Sequence, residues 1–298
     1  MTEFPRPLLK WVGGKSKLLD KIHEKIPKNM QNYHEPFVGG GSVLFSLLHR
    51  KQAGVISVRG GIYAYDKNPV LIAFYKLVQT NAETFYNTID GIVNTYNNIE
   101  THKGSRKLTT NEEALLSKES YFYWMRMRYN TLQICEEKCA LFLILNKTCF
   151  RGLFRESSSG FNVPFGNYKS PINITRQHFL NISSLIQDVH FIESDCSDVF
   201  HKVCENDFVY LDPPYAPENN TSFVSYNKDG FGIDQHKKLF NNIKEMKGAG
   251  FLLSNSDTAI VNEYFTDEQF NVEVVNVRRA INSKNPESMA REVLINNV

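Results

Sequence analysis

Asp212-Pro213-Pro214-Tyr215 gathers a carboxylate, two ring-constrained residues and an aromatic face into four consecutive positions. The tetrapeptide follows Phe208-Val209-Tyr210-Leu211, an apolar run that reads as a buried parallel strand. Proline has no N–H to give a sheet ladder, so two in succession stop the strand at its carboxyl edge. Open α/β sheets bind their ligands at that edge. The groups suit a planar ring with an exocyclic amino group. The Asp212 carboxylate and the Asp212 or Pro213 carbonyl accept both amino hydrogens, and Tyr215 stacks on the ring. Held in this way, the nitrogen lone pair leaves conjugation and can be aimed at an electrophile. A rigid surface turn is the plain alternative.

Two further constellations weigh on that choice. Glu35-Pro36-Phe37-Val38-Gly39-Gly40-Gly41-Ser42 reads as a strand, a glycine turn and a helix start. Such a turn lets a ligand approach the backbone and meet helix N-terminal amides. Asp66 ends the next strand, where an acidic side chain can accept from ribose hydroxyls, although Asp there could equally cap the helix opened by Pro69. Together they suggest an adenosine-type cofactor. No Gly-x-x-x-x-Gly-Lys-Ser/Thr is present, which argues against a Walker-type phosphate site. Leu9-Lys10-Trp11-Val12-Gly13-Gly14-Lys15 sets two lysines around an aromatic and a glycine pair. Lys15 could pair with a cofactor carboxylate and Lys10 could reach DNA, unless the segment is only a solvated basic start.

These residues need a scaffold. A chain of 298 residues, 42% hydrophobic and 12% aromatic, suits one large α/β domain, with or without an insertion. No signal peptide or membrane-length apolar run is apparent, so the chain reads as soluble and intracellular. The five cysteines form no Cys-x-x-Cys pair, and no metal site is expected. Cys135 and Cys139, one helical turn apart, read as buried structural thiols. Net charge is only +2, yet residues 101–176 hold twelve Lys/Arg against six Glu and no Asp. Interleaved with Tyr121, Phe122, Tyr123, Trp124, Tyr129, Phe150 and Phe154, that basic island is the footprint of nucleic-acid contact, or else a solvated helical surface.

Strands are expected at Tyr33 to Phe37, Gly61 to Tyr65, Val189 to Ile192, Phe208 to Leu211 and Phe251 to Ser254. Helices are expected at Ser42 to His49, Val70 to Thr80, Phe85 to Tyr96 and, as one apolar-periodic stretch, Ser120 to Leu145. Gly152 to Tyr168 reads as a hairpin turning at Ser157-Ser158-Ser159-Gly160. Val272 to Val277 and Glu292 to Asn296 alternate like a terminal antiparallel hairpin. The layout is a doubly wound sheet with a C-terminal antiparallel hairpin and a basic, mainly helical insertion. Its catalytic part is placed at 1–74 and 176–298, and the insertion at 75–175.

The ordered set Lys10 to Lys15, Glu35 to Gly41, Phe161-Asn162-Val163-Pro164-Phe165-Gly166 and Asp212 to Tyr215 resembles the Dam family. These are α-group (D12 class) adenine-N6 DNA methyltransferases, and the likeness extends to Leu253 to Asp257 and Val277 to Ser283, covering nearly the whole chain. The resemblance implies a Rossmann-like sheet that binds S-adenosylmethionine, releases S-adenosylhomocysteine and needs no metal. It also implies that the insertion is the target-recognition domain; Gly41 and Asp212 stand 171 positions apart, too far for a minimal methyltransferase sheet.

Carried over by motif, Trp11, Lys15, Phe37, Gly39 and Gly41 would line the methionine end of the cofactor. Asp66 would meet the ribose, Asp195 and Cys196 the cofactor adenine, and Asp212 would also touch the cofactor. Asp212, Pro213, Pro214 and Tyr215 would clasp an extruded adenine. Lys10 would contact the first base pair, Phe150 would wedge into the duplex and Arg155 would read a guanine edge, with Arg151, Leu153 and Pro164 beside them. Arg151 stands where some relatives carry Asn, and the hairpin at Ser157 is slightly shorter, so the outer readout departs from the family pattern. Pro217 to Gly232 would close over the flipped base.

The implied partner is double-stranded DNA, with GATC as the family's usual target. The protein would be a monomer in solution, or a dimer on DNA, located in the cytoplasm on the nucleoid or in a host-cell compartment if viral. A restriction–modification role belongs to the same expectation. The competing readings are cytosine-N4, RNA or protein-amide methylation, and a catalytically inactive DNA-binding relative.

Overall fold

The computed structural model describes residues 4–108, 110–216, 231–266, 268–278 and 289–298. Two compact units emerge, each assembled from discontinuous segments. The first takes Met1–Ser16, Gly39–His49 and Asn68–Phe191; the second takes Lys17–Val38, Arg50–Lys67 and Ile192–Val298.

The second unit is built on a sheet. Its chain runs through α1 (Leu19–Glu24), β1 (Asn29–Met30), β2 (Tyr33–Glu35), β3 (Ser57–Val58) and β4 (Ile62–Asp66). After β7 (Val189–Glu193), which enters this unit at Ile192, come β8 (Phe208–Leu211), α9 (Ile233–Glu245), β9 (Gly250–Ser256), α10 (Ala259–Tyr264), β10 (Asn271–Arg278) and β11 (Met289–Asn296). Strands order as β10-β11-β9-β8-β2-β4-β7, with β1 and β3 forming a separate parallel pair. Neighbours β8–β9, β2–β8 and β2–β4 run parallel, whereas β10 and β11 join antiparallel to one another and to β9. The expected doubly wound sheet with a terminal hairpin is therefore present.

Sequence explains the order. Every residue of β8 is buried, as a strand covered on both faces requires. Val209, Leu211, Leu253 and Val293 form a core with Phe240 of α9 and Val261 of α10. Pro36 ends β2 at Glu35, two residues before the expected end at Phe37. The chain leaves β2 toward β4 on one side and later returns to β8 on the other. The carboxyl ends of β2 and β8 thus flank the point where strand order reverses.

The first unit is mainly helical, with α2 (Ser42–Gln52) through His49, α3 (Pro69–Thr80), α4 (Ala82–Asn98), α5 (Asn111–Ala114), α6 (Lys118–Thr131), α7 (Glu136–Thr148) and α8 (Arg176–Leu185). A small hairpin, β5 (Glu156–Ser157) and β6 (Gly160–Phe161), turns where the serine run suggested. Edge-to-face rings tie the helices together: Phe74 with Phe85 and Phe142, and Phe85 with Phe179. All of 75–175 lies in this unit.

Two local expectations are corrected. Ser120 to Leu145 is not one helix; it breaks at 132–135, where Leu132 and Cys135 adopt extended backbone. Apolar periodicity resumes after the break in a compatible phase, which hid it. Cys139 is buried as expected, but Cys135 is exposed because it occupies the N-cap of α7 rather than a helical turn. No helix among the described residues is long and apolar enough to cross a membrane.

Candidate active site

In the second unit the Asp212–Tyr215 turn leaves the carboxyl end of β8. Asp212 and Tyr215 are half-buried, Pro213 is buried and Pro214 is exposed. The Tyr215 hydroxyl donates to Glu292 Oε2 at 2.6 Å, fixing the ring from β11. Burial raises the Tyr215 pKa far above the usual phenol range, reinforced by Asp212 and Glu292, so its face stays uncharged. Buried Tyr210 is raised likewise, first by desolvation and then by Asp212, and its hydroxyl meets Ser254 Oγ at 3.2 Å.

Side chains from β9 and α9 hold the backbone of the turn. Asn255 Oδ1 accepts from Ala216 N at 3.0 Å, and Ser256 Oγ donates to Ala216 O at 2.6 Å. His236 of α9 approaches the Pro214 carbonyl at 3.0 Å. Asn255, Ser256, His236 and Glu292 were not among the sequence candidates. The resemblance had flagged Leu253 to Asp257 as a motif without giving it a task.

Phe37, after β2, is half-buried and meets Phe231 edge-on at 5.7 Å. Asp66 closes β4, and its carbonyl accepts from Ser194 N at 3.2 Å. Helix capping does not explain Asp66: in the first unit Asn68 Oδ1 caps α3, accepting from Val70 N and Leu71 N. Asp195 opens a turn of 3-10 helix at Cys196–Asp198, and its Oδ1 accepts from Ser197 N and Oγ at 3.0 and 2.7 Å. Those bonds, the backbone one first, hold its carboxyl below the usual range. Burial pushes the Cys196 thiol up to about 12, leaving it protonated. Asp66, Asp195 and Cys196 are therefore grouped at the ends of β4 and β7.

In the first unit, Trp11 packs against the glycine turn so closely that side chains are excluded there. A Cβ on Gly39 would lie 2.6 Å from Trp11 Nε1, and one on Gly40 2.7 Å from Trp11 Cβ. Gly39 and Gly41 also have φ of +46° and +77°, where glycine is favoured. Tyr75 Oη donates to the Gly39 carbonyl at 2.8 Å. Trp11 stacks on Phe154 (6.0 Å, 17°). Lys15 is buried; its backbone N–H donates to Ser42 Oγ at 3.1 Å and its ammonium to the Gly13 carbonyl at 2.7 Å.

The candidate DNA contacts lie in this unit too. Asn146 of α7 staples them: its Oδ1 accepts from Lys10 N at 2.8 Å, and its Nδ2 donates to the Lys10 and Gly152 carbonyls at 2.7 and 3.1 Å. Phe150 is exposed and its amide donates to the Pro164 carbonyl at 2.8 Å. Arg151 takes a left-handed backbone, φ +58°, and lies over the Phe150 ring. Leu153 is half-buried and closes the 150–152 turn, its amide donating to the Phe150 carbonyl. Arg155 is exposed and donates to Asn162 Oδ1 at 2.6 Å across the hairpin. The Lys10 ammonium sits 4.5 Å from the Tyr168 ring centroid. Part of the basic island is engaged internally, with Arg126 over Tyr123, Lys138 over Tyr129, and Arg128 paired with Glu137. Most of 217–232 and 277–283 lies outside the described residues, including the expected closing segment.

The model of the D12 class N6 adenine-specific DNA methyltransferases matches residues 11–281. A type II methyltransferase, M.MjaIII of Methanocaldococcus jannaschii, is 34% identical, covering 94% of this chain and 93% of its own. The type II methyltransferase M1.LlaDCHI of Lactococcus lactis subsp. cremoris is 30% identical over 94% and 90% of the two chains. The DNA adenine methylase of Haemophilus influenzae is 30% identical over 96% and 91%. The family model spans most of the chain, and the chain belongs to the D12 class of N6 adenine-specific DNA methyltransferases.

Proposed function

We propose that this protein transfers a methyl group from S-adenosylmethionine to N6 of an adenine extruded from a short palindromic duplex site, GATC. The observation that carries the reading is the Asp212–Tyr215 turn at the carboxyl end of β8, beside β2, where strand order reverses. Asp212 and the Pro213 carbonyl take the two amino hydrogens, and Tyr215, its hydroxyl tied to Glu292, offers its ring face. A base inside a duplex cannot reach such a turn, so extrusion is required, at a cost of a few kcal/mol. Stacking on Tyr215 offsets about 1–3 kcal/mol of that.

The residues present fit a nucleoside cofactor. Only glycine is tolerated at Gly39 to Gly41, and Asn68 rather than Asp66 caps α3. Asp66 would hold the ribose hydroxyls, and Asp195 with Cys196 the cofactor adenine. Phe37 of the second unit and Trp11, Lys15, Gly39 and Gly41 of the first keep the role the resemblance gives them, toward the methionine end. When bound, the cofactor supplies an already activated methyl electrophile. The chain's own task is alignment of the acceptor nitrogen.

For DNA, we assign Phe150 as wedge and Lys10 and Arg155 as base readers, with Arg151, Leu153 and Pro164 shaping their turn and segment 75–175 as the recognition region. A bidentate arginine–guanine contact contributes about 1–3 kcal/mol of discrimination. The type II names of two relatives favour a restriction–modification context. The test is tritiated methyl transfer to duplexes with adenine-only or cytosine-only targets, to RNA and to protein, followed by sequencing of the methylated DNA. Label on adenine within GATC, abolished by Asp212→Ala with duplex binding retained, is expected. Label elsewhere, or equal loss of binding and turnover in Asp212→Ala, would refute the assignment.

A further inference from the structure

His236 sits in the first turn of α9, wholly buried, with its ring between two backbone carbonyls. Nε2 lies 3.0 Å from the Pro214 oxygen and Nδ1 3.0 Å from the Gly232 oxygen. A neutral imidazole carries one N–H and cannot donate to both. Burial holds the ring's pKa below its usual value, so the neutral form prevails near pH 7. The Gly232 carbonyl already accepts the His236 backbone amide at 3.0 Å. Among the described residues, no other donor meets the Pro214 carbonyl. The proton therefore belongs on Nε2, donating to Pro214. Phe231 packs edge-on to the imidazole at 4.7 Å and Phe240 tilts against it at 5.8 Å, fixing its plane.

We propose that His236 is a positioning residue for the methyl acceptor: by holding the Pro214 carbonyl it sets the direction of the adjacent Pro213 carbonyl. The inference rests on the reading above, in which Pro213 takes a hydrogen from the target amine. Transmission follows from proline stereochemistry. The peptide carrying the Pro213 carbonyl is planar through Pro214 N, and the Pro214 ring locks φ. A single torsion, ψ of Pro214, separates the two carbonyls, and a hydrogen bond to the second one fixes it. Asn255 and Ser256 hold Ala216 independently on the downstream side.

Three variants test this. His236→Phe keeps a ring between Phe231 and Phe240 without a donor. His236→Gln places an amide N–H where Nε2 lies, and His236→Asn places one where Nδ1 lies. Steady-state kcat, KM for cofactor and for duplex, and the urea unfolding midpoint are measured for each full-length protein. His236→Phe is expected to lose about 10–100-fold in kcat, the scale of an alignment error, with both KM values little changed. His236→Gln should recover most of that loss and His236→Asn should not. If His236→Phe does not fold, the comparison of Gln with Asn, equal in polarity, decides alone. Equal kcat for Gln and Asn, or a Phe variant as active as the parent, overturns the proposal. A parent protein that methylates no adenine duplex overturns the functional reading and this inference together. An active parent with an indifferent His236→Phe removes the inference only.

Discussion

Replacing Gly39 by alanine tests how tightly the N-terminal aromatic is fitted to the glycine turn. The added methyl would stand 2.6 Å from Trp11 Nε1 and 2.7 Å from its Cδ1, inside any tolerable contact. Trp11 has little room to yield, being stacked on Phe154 at 6.0 Å and tilted against Phe142 at 6.3 Å. The backbone adds its own cost, since φ of +46° disfavours an L-residue by about 1–2 kcal/mol. Overpacking a fitted ring adds about 1–3 kcal/mol. Together these give a loss of about 2–5 kcal/mol, large against the usual stability of about 5–15 kcal/mol. Urea unfolding would measure the loss, and calorimetric titration with S-adenosylhomocysteine would show weakened binding at the proposed cofactor site. Combining Gly39→Ala with Trp11→Ala should recover about 1 kcal/mol or more of the sum, as expected for residues in contact. A Gly39→Ala protein within about 0.5 kcal/mol of the parent, or a strictly additive double mutant, would refute the packing account.

Other outcomes follow from single contacts. Asn146→Ala strips three backbone groups of their partner and should cost about 3 kcal/mol in unfolding free energy, while weakening duplex binding measured by anisotropy. Tyr215→Phe removes the bond to Glu292 but keeps the ring, so kcat should fall less than in Tyr215→Ala; equal losses would mean stacking is irrelevant. His23 is held at about 4, by burial first and by Arg50 second. Between its ordinary value and that one, the unfolded chain binds a proton that the folded chain refuses. Stability should therefore fall as pH drops through this window, by about 2–3 kcal/mol near pH 4.5. In His23→Leu that component should vanish from pH-dependent urea unfolding, and an unchanged pH slope would contradict it.

Those features differ in how far the sequence announced them. The stop after Leu211 was legible because two prolines forbid a ladder, and β8 was legible because its four residues form an apolar run suited to burial. The glycine turn was legible as a place of close approach, although nothing in the sequence said that Trp11 is what approaches. The helix break at 132–135 was hidden, since apolar spacing continues through it. Asn146, His236, Asn255 and Glu292 went without an assigned task for one physical reason. Three of them bind backbone atoms and the fourth binds a hydroxyl, at positions distant in the chain, and such partners leave no side-chain signature to match. Asn68 took the cap that Asp66 might have filled, a choice that two nearby polar residues leave undetermined until the turn is built.

Asn146 also bears on how specificity could be altered. Because one carboxamide grips both Lys10 and Gly152, the residues we propose as outermost reader and wedge share a common mount, although the chain separates them widely. A chimera that exchanges only residues 150–165 for a relative's would inherit a foreign tip on the native base, with its registry to Lys10 unmatched. Retargeting should therefore succeed only when the N-terminal strip and the hairpin are transplanted as a set.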